Sequence, residues 1–281
     1  MRERKISREE QEYLDKYDDS IYPHPSVATD IAVFSVSNTE VDNYRKLPER
    51  KLQILLVKRG QYPYKECYAL PGGFAKPTET LDDCARRELL EETHVDYSFL
   101  QQLQTFSEPA RDPRGWIISA SYLALLDSDK YEIVGGDDAK EAMWFDVGLE
   151  DEDDGDIILR LTHNDIKIHS VLKNITARND IAERYTTIEY DDQLSFDHSE
   201  IIVCALMQLR RWIADTGLAF RLVPEYFTLT QLQQVYEAVS GERLLAPAFR
   251  RKISDYVEET GMKTSDEGHR PAKLYKEITP R

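Results

Sequence analysis

Cysteine is scarce in this chain: Cys67, Cys84 and Cys204 are the only three in 281 residues. They are odd in number, far apart and never spaced C-x-x-C, which excludes a disulfide framework and a cysteine-based zinc site. Long apolar runs are missing too. No stretch approaches the length of a membrane span, and the charged opening Met1-Arg-Glu-Arg-Lys lacks the apolar segment of a secretion signal, so the expectation is a soluble cytoplasmic protein with no membrane partner. Positive charge is the third deficit: 36 Lys and Arg face 52 Asp and Glu, a net charge of −16. Broad nucleic-acid binding needs a basic surface that displaces counterions, and the chain as a whole has none. The deficit is uneven, because from Arg221 to Arg281 ten basic residues meet nine acidic ones, about +1. At this length two domains are the natural expectation.

What the chain does have is a dense acidic helix. Behind Leu70-Pro71-Gly72-Gly73 runs Glu79 to Glu92, ETLDDCARRELLEE. On a helix Glu88, Glu91 and Glu92 stand at i, i+3 and i+4 and point from one face. Like charges so placed weaken a helix unless a cation or guanidinium compensates. Arg86 and Arg87 supply part of that compensation, and hard carboxylate oxygens suit Mg²⁺ or Mn²⁺ better than Zn²⁺. Leu81, Ala85 and Leu89 form a separate apolar stripe that packs the helix down.

Gly73, Glu79, the run Arg87-Glu88-Leu89-Leu90-Glu91-Glu92-Thr93 and Val95 resemble the Nudix box, the signature of enzymes that hydrolyse nucleoside diphosphates linked to another group. One position departs: His94 stands where the family has Gly. A left-handed helix end is easiest without a Cβ, although His tolerates it better than most, so the expected effect is a modest loss of stability. The resemblance implies an α+β fold, a Nudix α/β/α sandwich with a mixed sheet. It also implies Mg²⁺, with Mn²⁺ as the alternative, held by Glu88, Glu91 and Glu92 with the backbone near Gly73. Bound there, the metal polarises phosphorus and acidifies a water. Arg87 is expected to orient a glutamate, and Glu79 to brace the loop–helix junction through an arginine. The general base stays open between Glu92 and an acid in Asp137-Asp138-Ala-Lys-Glu141, of which Glu141 is the candidate.

Along the chain, Ser7 to Tyr17 reads as a polar helix in an N-terminal arm, residues 1–25. Ser26–Val36 and Gln53–Lys58 read as a hairpin with a long tip, and Gly72-Gly73 as a turn. Phe99–Phe106, Trp116–Leu126 and Ala142–Asp146 read as further strands, closing a Nudix unit at 26–150. Residues 151–197 read as an insert, made of the acidic turn LEDEDDGD and a hairpin across His163-Asn164-Asp165. The apolar period of His198–Thr216 predicts a helix, connecting at 198–220 to a second domain at 221–281. There Thr228-Leu-Thr-Gln231 has capping-box spacing for a helix through Val239 closed by Gly241. Pro247–Thr260 predicts a second helix ended by Gly261, and the tail an edge strand. This set suggests a winged helix-turn-helix.

Phe106 to Gly115 combines Arg111 and Arg114 with turn residues, and such arginines grip phosphate or ribose oxygens with planar forks. With Pro109 fifteen residues after His94, the segment is similar to the ADP-ribose pyrophosphatase branch of the Nudix family. Tyr22-Pro-His-Pro-Ser-Val, Phe196-Asp197-His198, the Thr228–Glu237 helix and Phe249-Arg250-Arg251-Lys252 look like Nudix proteins fused to a winged helix, including the Nudix-related transcriptional regulators. The resemblance implies a homodimer and a small nucleoside diphosphate substrate bound by Arg111, Arg114, Gly73 and Pro109. Glu91, Glu92, Arg87 and Glu141 carry the catalysis in this reading. ADP-ribose would give AMP and ribose 5-phosphate; other ADP-linked compounds fit the same arginines. The competing reading is a transcriptional regulator that senses ADP-ribose or a sugar and reads DNA. Complete acids in the box favour the hydrolase. So does the apolar Leu245-Ala-Pro-Ala248, which cannot bond base edges; Arg250, Arg251 and Lys252 remain candidate phosphate contacts.

Overall fold

The computed structural model describes residues 6–38, 49–93, 97–126, 139–152, 155–178, 180, 183–215, 217–264 and 271–278. A short helix α1 (Arg8–Leu14), capped by the Ser7 side chain on Glu10 N–H, opens the chain and buries none of its residues. One large mixed sheet follows, formed by β1 (Ser26–Asn38), β2 (Arg50–Arg59), β3 (Tyr68–Ala69), β4 (Gly72–Phe74), β5 (Phe99–Phe106), β6 (Ile117–Leu125), β7 (Ala139–Asp151), β8 (Asp156–His163), β9 (Ile166–Asn174) and β10 (Tyr185–Glu189). Its order is β10-β9-β8-β7-β2-β1-β6-β5, with β3 on β2 and β4 on β1. β1 and β6 are parallel, while the other strand pairs are antiparallel.

The helices are α2 (Leu81–Thr93), α3 (His198–Asp215), α4 (Leu229–Ser240) and α5 (Ala246–Ile253), with a two-stranded wing of β11 (Val257–Lys263) and β12 (Lys273–Glu277). The central strands are buried on both faces. Along β1, Ile31 and Val33 face α2 with Ala85 and Leu89, whereas Ala32, Phe34 and Val36 join the core that holds α3. Period-two alternation makes this division, and it produces the expected α/β/α sandwich. From Ile201 to Leu206 α3 is apolar and buried, in the same core as the sheet. The same hydrophobic cluster runs on without a break through Leu218 to Val223 into Leu232, Val235, Val239, Phe249 and Ile253.

Several elements differ from the sequence reading. Gly72–Phe74 is a short strand on β1, since Thr29 pairs with Gly73 and Asp30 with Gly72. The segment expected as an acidic loop and inserted hairpin extends the sheet: β7 runs to Asp151, and β8, β9 and β10 add in series, because Leu159, Leu161, Ile168 and Leu172 alternate toward α3. The hairpin turn itself is where expected, with Asn164 at φ 51°. In the winged helix the capping box of Thr228 and Gln231 and the left-handed Gly241 at φ 77° are present as read. α5, however, stops at Ile253, and Val257–Thr260 belongs to β11, where pairing with β12 overrides the helical pattern and Gly261 sits at a bulge. All three cysteines are free. Among the described residues no helix is long and apolar enough to cross a membrane.

Candidate ligand site

Two glycines let the acidic helix lie against the sheet. A Cβ on Gly72 would come within 2.0 Å of the Thr29 carbonyl oxygen, and one on Gly73 within 2.4 Å of Glu88 Oε1. Glu88 and Glu92 thus rest on β4, and Gly72 N–H donates to Glu92 Oε2 at 3.0 Å. Arg87 is the hub. Its guanidinium donates to Glu79 by two bonds of 2.7 and 3.0 Å, to Glu88 Oε1 at 2.5 Å, to Glu91 Oε2 at 3.2 Å and to the Phe74 carbonyl at 3.2 Å. Arg87 therefore orients two glutamates, and Glu79 clamps the loop before α2 through it. The Arg87 bonds hold Glu79 down to about 2. Burial pushes Glu88 up and carries Glu92 to about 8, against the opposing bond from Gly72.

The donor set, carboxylate oxygens alone, fits a hard divalent cation. In the described residues no three acids, histidines or cysteines converge into a finished cation cage. Arg87 instead compensates Glu88 and Glu91. His94 and Val95, and with them the departure from the box, lie outside the described residues, as do Asp137 and Asp138. Glu141 is exposed beside the bulge between β2 and β7, and among the described residues no bond ties it to the α2 acids.

The two loop arginines part ways. Arg111 is 5% exposed and bound by Asp197, with bonds of 2.6 and 2.7 Å, and by Asp30 at 3.2 Å. It holds the loop to the sheet and to α3, so the fork expected to meet phosphate or ribose oxygens is engaged by two carboxylates in this structure. Arg114 bonds Asp112 and lies over the rings of Phe74 at 5.0 Å and Phe196 at 5.5 Å, with 42% of its side chain exposed. Pro109 is exposed in the turn before them. Sequence reasoning missed Arg59, whose guanidinium lies 4.9 Å from the Phe196 ring centre. Burial and the neighbouring Arg114 charge both push its pKa down. Lys58-Arg59-Gly60, two cations closing an apolar strand, was the available signal. His198 and Asp30 were also missed: His198 Nδ1 accepts from Leu70 N–H at 2.9 Å and Nε2 sits 3.5 Å from Asp30.

Two family descriptions match the chain: "NUDIX domain" over residues 45–160 and "NrtR DNA-binding winged helix domain" over 219–276. The chain is 33% identical over 273 residues to the ADPR responsive transcriptional repressor NtrR of Acinetobacter baylyi, covering 95% of this chain and 88% of the repressor. It belongs to the NrtR family of Nudix proteins with a winged helix. The ADP-ribose pyrophosphatase of Methanocaldococcus jannaschii is 41% identical over 134 residues, 48% of this chain and 68% of that enzyme. Among solved structures, a MutT/nudix family protein from Enterococcus faecalis aligns with TM-score 0.69 at 28% identity, covering 98% of this chain and 100% of that one. Shewanella oneidensis NrtR aligns with TM-score 0.59 at 25% identity, covering 90% and 94%.

In this NrtR-family winged helix the basic residues singled out from the sequence do not share a face. Successive helical residues are turned by about 100°, so Arg250, Arg251 and Lys252 fan around α5. Arg250 lines an open groove of about 410 Å³ with Thr230, Gln233 and Arg243, and on its other side approaches the wing at Lys273. Lys252 points elsewhere, over the Tyr236 ring at 5.3 Å. Leu245 is 78% exposed at the start of α5.

Proposed function

We propose that the chain is an ADP-ribose-responsive DNA-binding regulator, its Nudix domain taking the ligand and its winged helix the DNA. One observation carries this reading: similarity to the Acinetobacter repressor extends over 95% of the chain, through both domains and the helix that joins them. The anionic diphosphate would lie over Gly72–Phe74, facing Arg59 and Arg114, whose forks suit phosphate oxygens. In the winged helix, Arg250 with Thr230, Gln233 and Lys273 offers phosphate and polar contacts, which position a protein on a duplex. The direct test is fluorescence anisotropy of the full chain on a duplex from its own upstream region. Saturable binding that ADP-ribose reverses is the expected result, and indifference to ADP-ribose would end the reading.

Hydrolysis is the second reading, supported by a complete acidic set and by the 41% identity to the pyrophosphatase. Glu88, Glu91 and Glu92 would hold Mg²⁺ or Mn²⁺, which supplies charge neutralisation at a pyrophosphate and an acidified water. AMP released from ADP-ribose by the wild type and not by Glu91→Gln decides it. Either activity is compatible with a homodimer in which the N-terminal arm is covered, since Tyr13, Leu14, Tyr17, Ile21 and Tyr22 are all exposed in the single chain. Sedimentation of the wild type and of a chain lacking residues 1–25 tests that arrangement.

A further inference from the structure

We propose that Phe196, Asp197 and His198 form a relay that transmits occupancy of the ligand site to the winged helix through α3. This rests on the regulator reading above and assigns its route. The three residues end the segment before α3 and begin the helix itself, and each is tied to a different wall of the site. Phe196 packs beneath two guanidiniums, Arg59 at 4.9 Å and Arg114 at 5.5 Å, with Tyr64 edge-on at 4.6 Å. Asp197 holds Arg111, three residues before Arg114 in the same loop. His198 takes the Leu70 N–H and approaches Asp30, and Leu70 leads directly into Pro71 and the Gly72 that bonds Glu92.

The far end of the route is equally defined. α3 rises for 18 residues, about 27 Å at 1.5 Å per residue. Its Arg210 donates to the Val239 carbonyl at 3.0 Å, in the last turn of α4. Leu206, Leu209 and Ile213 share one core with Leu232, Val235 and Val239. A shift at the start of α3 therefore cannot be absorbed in a loop before it reaches the winged helix.

What makes the start of α3 respond is Phe196. Its φ of 54° is a left-handed conformation that a bulky side chain rarely adopts, and the stack of cations and rings holds it there. Among the described residues Arg59 has no carboxylate in ion-pair contact; its Nε donates to the Pro63 carbonyl. A diphosphate arriving between Arg59 and Arg114 draws both guanidiniums onto its oxygens through charge-assisted bonds. The clamp on Phe196 loosens, its backbone relaxes, and the entry of α3 turns with it. The ligand thus has different contacts in the two states, which is the condition for any coupling.

The experiment measures coupling separately from binding. Full-length protein is titrated with the upstream duplex at zero and saturating ADP-ribose, and with ADP-ribose at zero and saturating duplex; linkage requires the same factor both ways. Asp197→Asn and His198→Asn are the variants, the latter keeping an acceptor for Leu70 N–H while removing the reach to Asp30. The coupling factor, a ratio read independently of the separate affinities, is expected to drop about tenfold or more toward one. Hydrogen exchange on the wild type, which needs no variant to fold, is expected to show ADP-ribose altering protection in α3 and α4. Variants that still release DNA like the wild type, or exchange changes confined to the site, overturn the relay alone. A wild-type duplex complex that ignores ADP-ribose overturns both the relay and the regulator reading.

Discussion

Two charge clusters lie side by side in this molecule and are built in opposite ways. In the α2 cluster, Glu79, Arg87, Glu88 and Glu91 come from thirteen consecutive positions, and their compensation is local. The second cluster gathers Asp30 from β1, Arg111 from the loop after β5, and Asp197 and His198 from the start of α3, all of them largely buried. The first can rearrange around a ligand without disturbing the fold. The second is a clasp on three distant segments, and losing one member leaves the others charged in a dry place.

The sharpest way to break this contrast is Arg111→Ala, which strands Asp30 and Asp197. A loss of about 3–5 kcal/mol in urea denaturation is expected, against about 1 kcal/mol for Arg87→Lys in the more exposed cluster. Equal losses would erase the distinction. Next in size is a ligand effect without a fold effect: Gly73→Ala forces the Glu88 carboxylate aside, so Mg²⁺ affinity by calorimetry is expected to fall about tenfold while the melting temperature barely moves.

Proton linkage separates the clusters further. Glu92, carried to about 8 by burial, sits above its unfolded value of about 4.3, so folding takes up a proton and stability declines as pH rises between these values. Mg²⁺ is then expected to raise the melting temperature about 3 °C more at pH 8 than at pH 6, a difference that Glu92→Gln removes. Asp30 runs the other way. Burial alone would raise it, but His198 and Arg111 together hold it well below the usual carboxylate range. Its contribution is complete above about pH 4 and is lost as pH falls further. Asp30→Asn should flatten that acid limb, the smallest of these effects, seen as a change in the slope of stability below pH 4.

Legibility from sequence follows the same division. The α2 cluster could be read because its partners are i, i+3 and i+4 neighbours, and the Arg87–Glu79 clamp spans one short stretch. The Thr228 capping box and the Gly241 helix end were readable for the same reason. The clasp was not. Arg111 carries no local mark that distinguishes it from Arg114, and only the parallel pairing of β1 with β6 brings Asp30 beneath it. Strands β8 to β10 looked like an insert because a sheet's edge is defined by what pairs with it, which no single segment records. α5 was read too long because Val257 to Thr260 suits either element until β12 arrives as a partner. For function, a complete acidic box pointed to catalysis, whereas similarity along the whole chain favours regulation; the residues common to binding and cutting a diphosphate could not choose between them.

The single core that runs from the sheet through α3 into α4 and α5 has a practical consequence. The winged helix of this protein is not a detachable cartridge. Cutting the chain after Arg221 would unroof Leu218 and Phe220 on one fragment and Leu222, Phe227, Val235 and Val239 on the other, leaving two sticky halves. Any chimaera meant to exchange the winged helix would have to carry α3 across with it, splicing upstream of the helix that both halves own.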